Sequence, residues 1–364
     1  MEPIQVQGAP SIYQCFEGVL DHLPKKIVDQ KFQHALIIHG EKSWEVAQKH
    51  LTPLPIPTTH IRYNGECTYS EVERMNNVIK KEKIDVIIGV GGGKIIDLAK
   101  ACGHFTNKQV IVIPTLASNC AAWTPLSVFY DQEGNFIEYK VFPRSTFMVL
   151  IEPKIIIDSP EDYLRAGIGD TIAKWYEADV ITRNLPSKSI PLEISLHAAR
   201  ICRDVLIEEG KLAITALKQG ILSPSFIRVI ESIVIAGGMV GGYGDKYGRI
   251  AGAHSIHNGL TTVVETHNYL HGDKVAYGTL VQLSLEKRFD EITNLLPFYK
   301  SLKLPISLAD LGIREQVEEA IKKIAIGATK PNESIHIMNV SSPVQVKESI
   351  LSLEEFIAEK DDRL

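Results

Sequence analysis

The sequence lacks most of the features that mark secreted and membrane-bound proteins. Its five cysteines are scattered and form no C-x-x-C pair, which argues against a disulfide framework and against a thiolate zinc site. The N-terminal segment contains Glu2 and Pro10 and has no basic region followed by an apolar one, so we expect no signal peptide. No apolar run reaches the roughly 18 residues that a membrane-spanning helix requires. These absences predict a protein of the reducing cytoplasm.

An excess of charge of one sign is also missing. The chain has 39 basic and 44 acidic residues, a net charge of −5, and no dense run of lysine and arginine. Binding to a phosphate backbone or to an anionic membrane surface needs a strongly positive field, which this composition does not supply. We therefore expect a small soluble molecule as the partner, and neither a nucleic acid nor a membrane.

The 364 residues are enough for two domains, and the two parts of the chain differ in pattern. From Gln33 to about Glu152, short runs rich in isoleucine and valine alternate with helix-like segments, as in β–α units of a largely parallel sheet. After Pro160, long helix-compatible segments dominate. The pattern predicts an α/β domain over residues 1–158 and an all-helical domain over residues 159–364.

A glycine-rich turn follows the strand that we expect to be buried on both faces. The run Asp85–Val90 leads into Gly91-Gly-Gly-Lys94 and then into a helix. Glycines allow a close approach of the backbone, and the helix N-terminus offers free N–H groups to an anion, so the turn predicts a diphosphate site. The spacing does not follow the G-x-G-x-x-G fingerprint, and a tight turn without a ligand is the alternative. Taken singly, Asp97 and Lys100 on the helix are interpreted as solvated face residues.

Histidines are concentrated in one short segment. Four of the 12 fall within 18 residues: His254, His257, His267 and His271. Neutral imidazole is a common ligand of zinc and iron, and a carboxylate would complete a three-ligand site with an open position for substrate. His254 and His257 lie one helical turn apart, so one of them is alternatively only a hydrogen-bonded neighbour.

A lone aspartate is the candidate for the carboxylate ligand. Asp170 ends Gly167-Ile-Gly-Asp170, where we expect a helix to begin, and an aspartate at such a position is normally an N-cap. Lys174 lies one turn later on the same face. If Asp170 points towards the histidines instead, it forms with them a mixed oxygen and nitrogen site between helices.

Five motifs in order along the chain resemble the glycerol dehydrogenase branch of the iron-containing alcohol dehydrogenase superfamily. They are Gly91-Gly-Gly-Lys-Ile-Ile-Asp-Leu-Ala-Lys100, Pro114-Thr-Leu-Ala-Ser118, Gly167-Ile-Gly-Asp170, His254-Ser-Ile-His-Asn-Gly-Leu260 and His271-Gly-Asp-Lys-Val-Ala-Tyr-Gly278. The resemblance covers nearly the whole chain. It implies an α/β N-terminal nucleotide-binding domain followed by an all-α C-terminal metal-binding domain, the dehydroquinate synthase-like architecture, with the active site in the cleft. It also implies a homo-oligomer.

The resemblance assigns roles to residues of this sequence. Asp170, His254 and His271 match the ligands of a catalytic divalent metal ion, and His257 and His267 become neighbours. The implied chemistry is hydride transfer between a secondary alcohol carbon and the nicotinamide of NAD or NADP. The cofactor-binding candidates, which comprise the diphosphate turn, the segment beside the cofactor and the nicotinamide contacts, are Gly40, Gly91, Gly92, Gly93, Lys94, Asp97, Thr115, Ser118, Thr124, Leu126 and Val128.

Three departures from the family pattern change the expectations. Iron enzymes have a further histidine where this chain has Lys174, so zinc is expected before iron or nickel. Glycerol dehydrogenases carry Ser-Thr-Asp where this chain has Ser118-Asn119-Cys120, which weakens the case for glycerol. The strand that should end in an acid for the adenosine ribose ends in His39-Gly40-Glu41-Lys42-Ser43, which makes NADPH acceptable beside NADH.

Lys174 leads to a hypothesis about the substrate and is counted with the catalytic candidates. A cation one turn from a metal-bound aspartate, in a cleft that lacks the polyol-binding acid, would receive a substrate carboxylate. The substrates are then 2-oxo acids or 2-hydroxy acids. Alternatively, Lys174 only pairs with Asp170 or Asp273.

The sequence thus predicts a metal- and NAD(P)-dependent alcohol dehydrogenase that acts on a polyol, a ketone or a hydroxycarboxylate. The alternative is a lyase of the dehydroquinate-synthase kind, which shares the architecture and uses NAD transiently, but usually has a glutamate where Asp170 stands. A nucleotide-binding protein without catalysis is a third possibility. Such a protein would have no physical need for three converging ligands.

Overall fold

The computed structural model describes residues 3–361, in which strands alternate with helices up to Ile151 and helices without strands follow. The strands are β1 Ile12–Cys15, β2 Ala35–His39, β3 Thr58–Arg62, β4 Val86–Gly91, β5 Gln109–Pro114, β6 Leu126–Tyr130, β7 Phe136–Val141 and β8 Met148–Ile151. The accompanying helices are α1 Leu23–Asp29, α2 Glu41–Ala47, α3 Tyr69–Lys81, α4 Gly93–Thr106 and α5 Pro153–Ile157. The later helices are α6 Glu161–Thr182, α7 Ile190–Gln219, α8 Pro224–Glu231, α9 Gly237–Gly244, α10 Gly252–Leu260, α11 His271–Leu285, α12 Phe289–Leu302, α13 Val317–Ala328 and α14 Pro343–Asp361.

Six strands form one parallel sheet in the order β1-β8-β5-β4-β2-β3. β4 is buried at all six positions, as expected of a strand covered on both faces. Along β2, Leu36 and Ile38 belong to one core cluster, whereas Ala35 and Ile37 belong to another. Alternate side chains therefore enter layers on opposite sides of the sheet, and the predicted parallel α/β layer is confirmed.

A two-stranded antiparallel sheet, β6 with β7, stands apart from the main sheet. Oδ1 of Asp131 accepts the backbone N–H groups of Glu133 at 3.0 Å and of Asn135 at 2.7 Å, which closes the turn between the strands. From sequence, the turn-rich stretch Asp131-Gln-Glu-Gly-Asn135 predicts a β-hairpin, and the structure confirms it. It carries residues of β6 over the carboxyl edge of the main sheet.

Helices α6, α10 and α11 touch through their backbones. A Cβ at Gly272 of α11 would lie 1.7 Å from the carbonyl oxygen of Ala166 in α6. A Cβ at Gly278 of α11 would lie 2.3 Å from the carbonyl oxygen of Ala253 in α10. Only glycine fits at such distances. The start of α11 is thereby brought against the N-terminal half of α6, and the middle of α11 against the start of α10.

The expectation that a helix begins near Asp170 is wrong. α6 already begins at Glu161, and Asp170 lies in its interior, so it is not an N-cap. The preceding glycine serves a close contact: a Cβ at Gly167 would lie 2.0 Å from the carbonyl oxygen of Ala117, in the loop after β5. This contact holds α6 against the carboxyl edge of the sheet.

The change from sheet to helices occurs over a short interval. The last strand ends at Ile151, and the first long helix begins at Glu161. The boundary expected between residues 158 and 159 lies in this interval, between α5 and α6. The division into two domains there stays a prediction.

One helical stretch bears on the expectation that no apolar segment is long enough to span a membrane. Pro224–Tyr247 runs through α8, the π-helical turn Ser232–Ala236 and α9. It meets the criterion by length and composition alone, with a mean hydropathy of 1.4 over an 18-residue window. The expectation was wrong as stated. Inside the protein 61% of that window is buried, as in a core helix.

Candidate active site

Side chains from three helices converge on one point. Asp170 comes from α6, His254 from α10 and His271 from the first position of α11. The Nε2 atoms of His254 and His271 lie 3.3 and 3.2 Å from Oδ1 of Asp170, and the three ligand atoms lie within 4.8 Å of one another. Ligand atoms bound tetrahedrally at about 2.1 Å lie about 3.4 Å apart. The group therefore fits one divalent metal ion.

Glu177, also on α6, orients the ring of His254. One carboxylate oxygen lies 2.7 Å from Nδ1 of His254, and the other accepts the backbone N–H groups of Ala251 at 2.7 Å and of His254 at 3.0 Å. A carboxylate on Nδ1 leaves Nε2 to face the metal position. The sequence reasoning missed Glu177, although it lies three positions after Lys174 on the helix that carries Asp170, where a search for a second acid on that face would have found it.

The other two histidines of the cluster have different partners. Nε2 of His257 lies 2.9 Å from Nδ1 of His271, so His257 is the neighbour that the sequence predicts. Nε2 of His267 hydrogen-bonds the carbonyl oxygen of Thr261 at 3.0 Å instead. The cluster thus supplies two candidate metal ligands, His254 and His271. His257 contacts one of these ligands, and His267 binds a backbone carbonyl of a nearby turn.

The charges at the site are set by burial and by close neighbours. Burial alone would raise the pKa of Asp170, but the Lys174 ammonium and the hydrogen bonds with His254 and His271 lower this pKa well below its ordinary value. Burial alone would lower the pKa of His254, but the Glu177 carboxylate and the hydrogen bond with Asp170 raise this pKa to about 9. In the metal-free protein an ionised carboxylate therefore faces a protonated imidazole.

Lys174 is a buried cation without a hydrogen-bond partner in the part of the chain that the structure describes. It is 8% exposed and lines the cavity at the metal site. Within residues 3–361, its Nζ makes no hydrogen bond and has no carboxylate oxygen within 4.0 Å. Asp273 is taken by Arg165, whose Nε and Nη2 lie 3.1 Å from its two oxygens. The sequence left open an ion pair of Lys174 with Asp170 or with Asp273. Neither carboxylate lies within 4.0 Å of Nζ of Lys174.

A single cavity of about 1760 Å³ connects the candidate metal site with the glycine-rich turn. One cofactor candidate, Gly91, does not line it. A Cβ at Gly91 would lie 2.3 Å from Cδ1 of Ile95, so this glycine permits the packing of α4 on β4. The predicted site residues that do line the cavity are Gly40, Gly92, Gly93, Lys94, Asp97, Thr115, Ser118, Thr124, Leu126, Val128, Asp170, Lys174, His254 and His271.

The glycine-rich turn has the form of an anion site. α4 begins at Gly93 after Gly92, and no side chain caps it, so its first N–H groups are left for a ligand. A Cβ at Gly93 would lie 3.0 Å from Nδ2 of Asn119, so a side chain there would narrow the space. Lys94 pairs with Glu66 at the same edge. The turn fits the diphosphate of a dinucleotide.

Asp97 and Lys100 are not solvated, which corrects the interpretation made for each residue singly. They are 6% and 5% exposed, and Nζ of Lys100 lies 2.8 Å from Oδ1 of Asp97. Lys100 also donates to the carbonyl oxygens of Ala121 at 2.8 Å and Thr124 at 3.1 Å, and Asp97 accepts the N–H of Val128 at 3.1 Å. The pair anchors to α4 the segment that carries the predicted nicotinamide contacts.

The cavity wall at the carboxyl end of β2 has two cationic side chains, Lys42 and Arg62, and one acidic side chain, Glu41. The N–H of Gly40 donates to Oγ of Ser43 at 2.9 Å, which holds the turn. The acid that follows, Glu41, is bound by Arg62 at 2.8 Å. Arg62 and Lys42 also line the cavity, and the sequence reasoning missed Arg62 because it ends a different strand, β3.

Arg249 is a further cavity residue that the sequence reasoning missed. It lies between the short 3-10 turn Asp245–Tyr247 and α10, outside every motif. No periodicity or spacing in this glycine-rich stretch points to it.

Comparisons with known proteins give the family. Residues 10–153 match the family described as iron-containing alcohol dehydrogenase. Hydroxycarboxylate dehydrogenase A of Escherichia coli (strain K12) is 38% identical over 359 residues, 98% of this chain and 99% of that protein. Glycerol dehydrogenase of Escherichia coli O6:H1 is 37% identical over 299 residues, 81% of this chain and 80% of that protein. The crystal structure of glycerol dehydrogenase from Schizosaccharomyces pombe matches with a TM-score of 0.89 and 29% identity, covering 100% of this chain and 93% of that one.

These relatives are dehydrogenases over nearly the full length of this chain, so the lyase alternative has less support than the oxidoreductase. The family uses NAD(P) and a divalent metal. The cavity contains a glycine-rich turn that fits the diphosphate of NAD(P) and a three-ligand group that fits the metal. The chain belongs to the iron-containing alcohol dehydrogenase family, in its glycerol dehydrogenase-like branch, and is a metal-dependent, NAD-linked alcohol oxidoreductase.

Proposed function

We propose that this protein interconverts 2-oxo acids and 2-hydroxy acids with NAD(P). The observation that carries the proposal is Lys174, a buried ammonium group that lines the cavity beside Asp170 and has no hydrogen-bond partner among the described residues. A substrate carboxylate would supply that partner with a charge-assisted hydrogen bond. The name of the 38% identical relative, hydroxycarboxylate dehydrogenase A, supports the same substrate class. The segment Ser118-Asn119-Cys120 lacks the acid that would bind a polyol, which argues against glycerol as the substrate.

Asp170, His254 and His271 are the residues that we propose hold the metal ion, and zinc is the metal we expect. Two imidazoles and one carboxylate with an open fourth position are a common ligand set of catalytic zinc. When bound, such an ion supplies Lewis acidity at the substrate oxygen, and NAD(P) exchanges a hydride with the substrate carbon. Glu177 keeps Nε2 of His254 free to bind.

The remaining roles follow from the placement of the side chains. Lys174 binds the carboxylate and so orients the carbon that reacts, which lowers the entropic cost of the reaction. Gly92, Gly93 and Lys94 bind the diphosphate, while the predicted contacts on and before β6 hold the nicotinamide end. In the oxidative direction the 2-hydroxy acid gives a hydride to NAD(P)+ and a proton to solvent, and the 2-oxo acid is released. Reduction is the reverse.

We propose that both NADPH and NADH are accepted. Arg62, Lys42 and Ser43 line the cavity after β2, where a 2′-phosphate would find donors and a positive charge. Glu41, which would otherwise repel a phosphate, is bound by Arg62. The ratio of kcat/KM for the two cofactors measures this preference.

We further propose a homo-oligomer in the cytoplasm. All five cysteines are unpaired, which supports a reducing compartment, and the oligomer rests on the family resemblance. Size-exclusion chromatography with light scattering of the purified chain measures its state.

The experiment uses the zinc-loaded protein with pyruvate and with hydroxyacetone. The two substrates differ in one group, which is a carboxylate in pyruvate and a hydroxymethyl group in hydroxyacetone. We expect the wild-type protein to prefer pyruvate. Lys174→Met should raise KM for pyruvate by roughly 10- to 100-fold, the value of a charged hydrogen bond. KM for hydroxyacetone should stay within about threefold, since that substrate has no charge for Lys174 to bind.

Lys323→Met is the matched control, because it removes an exposed lysine, 55% accessible and paired only with Glu319, that does not line the cavity. Equal losses with both substrates would overturn the carboxylate role of Lys174. A wild-type preference for hydroxyacetone would overturn the substrate class. Tight binding of NAD without turnover of either substrate would return the lyase and the non-catalytic alternatives.

A further inference from the structure

A second cation without hydrogen-bond partners lies in the same cavity as Lys174. Arg249 is 18% exposed at its side chain and lines the cavity together with Asp170 and His254. Two residues later, the N–H of Ala251 is held by Glu177, the carboxylate that also orients His254. The backbone that carries Arg249 is thereby tied to the candidate metal site.

The terminal nitrogen atoms of Arg249 have no protein acceptor within the described part of the chain. The carboxylate of Asp245 lies 3.5 Å from Nε of Arg249. This distance is that of an ion pair and is too long for a good hydrogen bond. Among residues 3–361, Nη1 and Nη2 of Arg249 make no hydrogen bond. Arg165 shows the contrast, since it binds Asp273 through two contacts of 3.1 Å and Asp162 at 2.6 Å. A mostly buried guanidinium that the protein does not satisfy is suited to a ligand.

The cavity wall makes room for the Arg249 side chain. A Cβ at Gly241 of α9 would lie 3.6 Å from Cγ and 3.9 Å from Nη1 of Arg249. The aliphatic stem therefore runs along a glycine of α9. Gly237, one turn earlier, also lines the cavity. A glycine face leaves the guanidinium space to meet a small molecule without moving a neighbouring side chain.

We propose that Arg249 is a specificity-determining residue that binds the carboxylate of the substrate through two parallel N–H···O hydrogen bonds. The planar guanidinium matches a carboxylate in this bidentate way, whereas the ammonium of Lys174 acts as a point charge. The two cations together recognise one carboxylate. The inference deepens the proposed function and depends on its substrate class.

The experiment replaces Arg249 and compares pyruvate with hydroxyacetone in the holoenzyme. Arg249→Met should raise KM for pyruvate by roughly 10- to 100-fold, as expected for a lost charged hydrogen-bond pair. KM for hydroxyacetone and KM for NADPH should remain within about threefold. Arg249→Lys should recover only part of the loss, because it restores the charge without the second hydrogen bond. Arg314→Met is the matched control, since Arg314 is exposed and does not line the cavity.

Two further measurements distinguish binding from structure. Guanidinium ions added to Arg249→Ala should restore activity with pyruvate, which a purely structural role would not allow. Oxamate, an analogue of pyruvate that is not reduced, should bind the NADH complex more weakly in Arg249→Met by the same factor as the change in KM.

The outcomes separate the two proposals. Equal losses with both substrates, or a raised KM for NADPH, would overturn the role of Arg249. A wild-type preference for pyruvate with unchanged kinetics in Arg249→Met would overturn this inference alone. Arg249-dependent binding of oxamate by a protein that does not reduce pyruvate would overturn the proposed function alone.

Discussion

Helices α4 and α6 each bury an aspartate with a lysine one turn later. The pair is Asp97 and Lys100 in α4, and Asp170 and Lys174 in α6. The two lysines differ in their hydrogen-bond partners. Lys100 lies 2.8 Å from Asp97 and donates to the carbonyl oxygens of Ala121, Thr124 and Leu126. Lys174 has no hydrogen bond among the described residues, although it is nearly as buried. The same pairing along a helix therefore serves a structural purpose in α4, whereas in α6 it leaves the lysine without a hydrogen-bond partner among the described residues.

The difference arises from what packs against each helix. The loop before β6 turns its carbonyl oxygens towards Lys100, which satisfies the ammonium group completely. Lys174 instead lines a cavity whose wall also includes Gly237 and Gly241 of α9 and the candidate metal ligands. A buried charge that the protein leaves unsatisfied is costly, and such groups concentrate at functional sites.

The largest expected effect compares the stability of the two lysine variants. Lys100→Met should lower the free energy of unfolding by about 3–5 kcal/mol, because it leaves Asp97 as a buried charge without its partner. Lys174→Met should lower it by a smaller amount, because only the Coulombic attraction to Asp170 is lost, no hydrogen bond with a described residue is broken, and Asp170 keeps both histidines. Denaturant titrations of the metal-free proteins measure both values.

A double variant checks the cause of this difference. Adding Asp97→Asn to Lys100→Met removes the unpaired charge and should recover part of the stability. Losses of similar size in Lys100→Met and Lys174→Met would show that the two lysines are equally structural, and the comparison would fail.

The next effect concerns the acid beside the candidate metal site. Glu177→Gln should weaken metal binding by about 10- to 100-fold. The amide oxygen would stay with the N–H groups of Ala251 and His254, so the amide nitrogen would donate to Nδ1 of His254 and shift the ring proton to Nε2, the metal-facing atom. Competition with a chelating dye measures the affinity. Glu291→Gln is the control, since Glu291 accepts a hydrogen bond from the hydroxyl of Tyr176 at 2.8 Å, away from the candidate ligands, and this variant should keep full affinity.

The smallest effect is the pH dependence of metal binding. With the pKa of His254 raised to about 9 by Glu177, the metal-free protein holds a proton that the metal must displace. The apparent affinity should rise about tenfold per pH unit from pH 6 to about pH 9 and then level off. Asp170, whose pKa is well below its ordinary value, stays ionised and adds no dependence. Calorimetry in buffers of different ionisation enthalpy should detect one proton released per metal ion at pH 7, and a flat profile would contradict this assignment.

Local chemistry made much of the fold predictable. The glycine-rich turn after Asp85–Val90 and the hairpin at Asp131 are signals within a few neighbouring residues, and the structure confirms the strand, the turn and the hairpin. Asp170 was different, because glycines placed for close contacts with Ala117 and Gly272 resembled a helix boundary. Sequence alone does not separate a glycine that starts a helix from one that admits a neighbour.

The sequence by itself determined the parallel α/β layer, the helical part after it, the glycine-rich turn and the identity of the candidate ligands. Hydrophobic periodicity, glycine clusters and motif order are properties of neighbouring residues. Only the tertiary structure decided that Glu177 orients His254, that Lys100 is satisfied while Lys174 is not, and that Arg249 enters the same cavity. Each of these depends on which backbone carbonyl or carboxylate comes near from a distant part of the chain. For Glu177 and His254, the contacts of α6, α10 and α11 through glycine determine that proximity.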